Sequence, residues 1–193
     1  MTSLEQKKDL ILKHEEGFAF FLAREVLKAP KFTIWMILVP IIIVYFMYQN
    51  RKVMDGRKGF VQNYLVSRRR ALEESFAHLE KGRRPDIDLI LTESDLPGEA
   101  RGPFKELFSL LVDHYEDLLR SDGEDMASLI RSTYKNRMNY LLFVNRLNQV
   151  EKALNTALRS YMVKNMDEVH DVMKTMERVS EMLRRENALR IFG

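Results

Sequence analysis

Between Lys31 and Arg51 the chain runs for nineteen residues, Phe32 to Asn50 (FTIWMILVPIIIVYFMYQN), without a single charge. As a helix rising about 1.5 Å per residue, this run reaches roughly 28 Å, close to the hydrocarbon thickness of a bilayer. Trp35 stands near one end, and Tyr45 and Tyr48 near the other, where amphipathic rings favour the headgroup level. Lys28 and Lys31 bracket the run on one side, Arg51 and Lys52 on the other. The pattern predicts a membrane anchor whose marker residues are Phe32, Trp35, Pro40, Tyr45 and Tyr48. A secretory signal would carry its apolar core almost at the N-terminus. Here a charged, helix-patterned stretch comes first and no small-x-small cleavage pattern follows, so the expectation is a retained anchor.

Pro40 near the middle of the run leaves its path open. A kinked spanning helix, a re-entrant hairpin and a buried soluble helix all fit, since proline is tolerated in membrane helices but interrupts their hydrogen bonding. The spanning reading makes the protein single-pass. The twenty residues before Phe32 hold four basic side chains and the twenty after Asn50 hold seven. The positive-inside bias then places the C-terminal domain in the cytoplasm, and a hairpin would put both flanks there.

Charge is distributed unevenly. Residues 51–70 carry seven basic residues (Arg51, Lys52, Arg57, Lys58, Arg68, Arg69 and Arg70) against Asp55 alone, whereas residues 71–193 carry more acids than bases. A basic collar beside the anchor suits anionic lipid headgroups, and these seven residues are the candidate headgroup contacts. Arg68–Arg70 reach the surface only if Gly56 and Gly59 bend the chain along it. Otherwise they form a solvated helical face. The mildly acidic remainder argues against a nucleic-acid partner, which requires clustered positive charge.

The rest of the chain reads as helices joined by one long connection. Residues 1–31 predict an amphipathic juxtamembrane helix. Ser3 and Gln6 form a possible capping box, and Leu4, Ile11, Phe18, Phe21 and Leu22 recur at roughly helical spacing. This helix either lies in the membrane interface or packs on the soluble domain. Residues 51–82 predict a basic juxtamembrane helix ending at Gly82, and residues 83–102, with Pro85 and Pro97, a long connection. Residues 103–193 predict a bundle, with Pro103 opening its first helix. From Glu124 to about Val163 neither proline nor glycine interrupts, and a three–four spacing runs through Tyr140, Phe143, Leu147, Val150 and Leu154. Such a seam predicts one long coiled-coil-like helix, returned at Asn165 as an antiparallel hairpin. The fold expectation is all-α: one transmembrane helix, an N-terminal amphipathic helix and a C-terminal bundle of about four helices.

No chemistry-bearing motif stands out. The chain has no cysteine, which removes thiolate metal sites and thiol nucleophiles. Its four histidines, at 14, 78, 114 and 170, form no repeated Glu-x-x-His unit. Phosphate-binding glycine loops and nucleophile elbows are missing. The expectation is therefore no catalytic, cofactor or metal residue. The functional expectation is a membrane-anchored helical scaffold or adaptor that recruits a protein partner or self-associates. A membrane-bound sensory module that transmits a signal through its long helices is the alternative.

Overall fold

A computed structural model describes residues 2–26, 56–92, 94, 96–159 and 166–193, with the side chains of 56, 57, 63 and 166–172 left out. The described residues form seven helices and no strand: α1 (Leu4–Val26), α2 (Gly56–Lys81), α3 (Ile87–Thr92), α4 (Gly98–Arg120), α5 (Met126–Tyr134), α6 (Arg137–Arg159) and α7 (Met166–Phe192). Among them no helix is long and apolar enough to cross a membrane. The run 32–50, with its five anchor markers and with Arg51 and Lys52 beyond it, lies outside the described residues.

α4 forms the axis of the bundle. Its apolar side chains recur around most of its circumference, and Phe104, Leu107, Phe108, Leu111, Tyr115, Leu118 and Leu119 are all buried. A helix apolar over so wide an arc needs neighbours on several sides. α2 runs parallel to it, with the Ser75 hydroxyl donating to the Val112 carbonyl (3.1 Å) and His78 paired with Glu116 (2.6 Å). Parallel neighbours require a return path, and the 82–97 connection supplies it. Gly82 ends α2 at φ +68, a conformation that favours glycine. α3 then carries Leu91 into the core, and Leu96 follows. The expected long connection over 83–102 thus contains a short helix.

α6 lies antiparallel to α4, with Glu106 paired to Arg146 at one level and His114 stacked on Phe143 (4.1 Å) at another. α7 runs antiparallel to α6, Glu151 pairing with Arg184 and, further along α6, the Asn155 amide donating to Glu177. Tyr140, Val144, Leu147, Val150, Leu154 and Leu158 form the buried stripe of α6.

Three expectations need correction. The long helix over 124–163 is broken. Lys135 takes φ 66, and the Asn136 side chain accepts the backbone N–H of Asn139 (2.9 Å), which starts α6 afresh. The freed segment, α5, turns Leu129 and Ile130 inward and covers the end of the bundle. Secondly, α4 begins at Gly98 rather than Pro103, because Ala100 and Phe104, one turn apart, both reach the core. Pro103 sits inside the helix. Thirdly, the bundle is not confined to residues 103–193. α1 is built into it: Ile11, Ala19, Leu22 and Ala23 are fully buried. Lys7 donates to the Leu119 carbonyl (3.2 Å) at the C-terminal end of α4, where the helix dipole favours a cation.

Candidate functional site

Two features stand out: a charge cluster at mid-height in the bundle, and the bundle end from which the undescribed 27–55 stretch departs.

The cluster joins four helices. Arg68 of α2, 5% exposed, pairs with Glu15 of α1 (3.0 Å) and with Glu151 of α6. Arg184 of α7, equally buried, holds both Glu151 oxygens (2.7 and 2.8 Å) and also donates to Asn148 and to the Tyr64 hydroxyl (3.3 Å). The Arg68 guanidinium lies 3.9 Å over the Tyr64 ring, and that of Arg184 lies 5.3 Å from the centre of Phe18. Two arginines face two carboxylates, so the cluster balances. Burial pushes the Glu151 carboxyl up, but Arg184 and Arg68 outweigh it and hold the group at about 2. Burial raises the Tyr64 phenol to about 12. Each charge in the cluster has an opposite charge within 3.0 Å. Their geometry fixes which face of each helix meets which neighbour.

A groove of about 1010 Å³ runs over this cluster between α2, α6 and α7, walled by Ser67, Asn148, Lys152, Asn155, Lys174 and Glu177. Among the described residues no three His, Asp or Glu side chains converge as a metal site would require.

One histidine that no motif marks, His114, lies in the core. His114 is buried, stacked on Phe143, with Nδ1 2.7 Å from the Tyr134 hydroxyl. Burial, with His14 and Arg68 nearby, lowers it from 6.5 to about 3. Burial likewise lowers His14, whose ring is 3.5 Å from the Asn187 amide. Both are therefore neutral in the folded chain at neutral pH. Below 6.5 the unfolded chain binds protons that the folded chain refuses, so stability falls with pH. Each such histidine contributes a slope of up to about 1.4 kcal/mol per pH unit. The expected result is a denaturation midpoint that drops steadily from pH 6.5 toward 4. A His114→Phe variant, followed by circular dichroism in detergent, should flatten that drop. An unchanged slope in the variant contradicts the burial of His114.

The candidate headgroup residues divide. Three consecutive arginines on a helix point about 100° apart. Arg68 therefore points into the core, Arg69 pairs with Glu16 (2.8 Å) and Gln62, and exposed Arg70 pairs with Glu74 (2.9 Å). Arg68 is buried and bound, which takes it out of the lipid-facing set. Lys58 is exposed near the start of α2. The side chain of Arg57 is not described, and Arg51 and Lys52 lie outside the described residues.

At the departing end of α1, Arg24 is about half exposed and its guanidinium lies 5.2 Å from the centre of the Phe21 ring. Phe20 and Phe21 are 54% and 48% exposed. Beneath them Leu22, Ala23, Val26, Phe60 and Val179 form a second apolar cluster between α1, α2 and α7. At the end of α7, Ala188 and Ile191 are buried and Phe192 lies against Tyr140 (5.9 Å). Comparison with protein-family models, with curated proteins and with solved structures finds no match.

Proposed function

We propose that the chain is a membrane-anchored helical scaffold without catalytic activity, held to the cytoplasmic face of a bilayer by the 32–50 run. The observation that carries this reading is the pairing of a nineteen-residue uncharged run with a bundle whose buried charges are consumed in holding helices together. The basic excess over 51–70 supports an anionic leaflet as the surface met. For a protein partner or a second copy, α6 offers Met138 and Leu142, one turn apart and 74% and 64% exposed.

Alkaline carbonate extraction tests the anchor. Full-length protein should stay in the membrane pellet, because the uncharged run must leave water. Recovery in the supernatant contradicts the anchor. Chemical cross-linking in the same membranes tests the scaffold surface. Higher-mass adducts should form and should vanish in a Met138→Glu, Leu142→Glu variant, whose stability should stay within about 0.5 kcal/mol of the parent. Adducts that persist in the variant contradict the α6 surface.

A further inference from the structure

The helices on either side of the apolar run form an antiparallel pair along their length. Near the start of α1, Lys8 Nζ lies 4.7 Å from the centre of the Phe76 ring. Further along, Glu16 pairs with Arg69 (2.8 Å) and Phe18 stacks on Tyr64 (5.9 Å). At its end, Leu22, Ala23 and Val26 close on Phe60. Numbers rise along α1 as they fall along α2. Val26 and Gly56 therefore lie at the same end of the bundle, and the intervening chain leaves and re-enters there.

A single bilayer crossing is incompatible with this pairing. A crossing separates its flanks by a hydrocarbon layer about 30 Å thick. Glu16 and Arg69 would then stand on opposite sides of the membrane. So would Phe18 and Tyr64, and Arg68 would lose Glu15. α1 would also have to expose Ile11, Leu22 and Ala23, all fully buried in the bundle.

We infer that α1 and α2–α7 stand on one side of the bilayer, a one-sided entry, with the Val26–Gly56 end toward its headgroups. This rests on the membrane-anchor reading and departs from the single-pass expectation. One-sided entry also leaves exposed Arg24, at the end of α1, and exposed Lys58, at the start of α2, at the same end of the bundle. A crossing would divide these cations between two leaflets. The surface thus fits one partner, an anionic lipid leaflet.

Sidedness tests the inference, and a chain without cysteine makes it clean. Single cysteines replace exposed Lys13 in α1 and exposed Glu186 in α7 of the full-length protein. Sealed membrane vesicles of one orientation are treated with a membrane-impermeant maleimide, before and after detergent. Both positions should label to the same extent, either together before detergent or together only after it. Labelling of one position before detergent and of the other only after it overturns one-sided entry. If those membranes still retain the protein in carbonate, the anchor survives and only the inference fails. Release of the protein by carbonate removes both.

Discussion

Replacing Glu151 with leucine is expected to destabilise the bundle by about 3–5 kcal/mol. The reason is the pair it leaves behind. Arg68 and Arg184 are each almost fully buried, and Glu151 is the carboxylate they share. Without it, two guanidinium groups face each other across the bundle interior with only Glu15 to balance them. An unpaired buried charge costs far more than the lost contact itself. A quadruple variant, Glu15→Leu, Arg68→Met, Glu151→Leu and Arg184→Met, should recover most of the loss, because a well-packed apolar substitute avoids the desolvation cost of both ions. Guanidinium unfolding of the detergent-solubilised chain measures both variants. A single-variant loss below about 1 kcal/mol would mean that the cluster is wetter and weaker than its burial implies.

Two leucines on α6 provide the second large effect. Leu147→Ala should cost about 2–5 kcal/mol, because Leu147 is 6% exposed and its loss opens a cavity in the core. Leu142→Ala, on the same helix but 64% exposed, should stay within about 0.5 kcal/mol. The chemistry is identical and only the face differs. Similar losses at both positions would contradict the orientation of α6.

That orientation was legible in the sequence, because a helix that buries one stripe must repeat its apolar residues at helical spacing. Tyr140, Leu147, Val150 and Leu154 all lie where this spacing puts them. The stop at Gly82 was equally legible, since a left-handed position favours glycine. The break at Lys135 was not, for no glycine or proline marks it, and only Thr133 and Asn136 interrupt the apolar seam. The charge cluster was hidden for a different reason. Arg68 stands in a run of three arginines that reads as a solvated collar, and its partners are 53 and 83 residues away. Periodicity reports which way a side chain points relative to its own helix, not which distant carboxylate waits there. The place of α1 was ambiguous on the same grounds. Its aromatic stretch Phe18–Leu22 suits a lipid interface and a protein core equally well. Phe18 and Leu22 turn to α2 and α7, whereas Phe20 and Phe21 remain exposed.

The central claim is that the helices before and after the apolar run form one body while the run is in a membrane. Spin labels at Lys13 and Arg70, both exposed and at facing levels of α1 and α2, measure this directly by pulsed dipolar spectroscopy in lipid nanodiscs. One-sided entry predicts a single short distance, well below the hydrocarbon thickness of about 30 Å. A distance at or beyond the full membrane thickness of about 40–45 Å would place the two helices on opposite sides and contradict it.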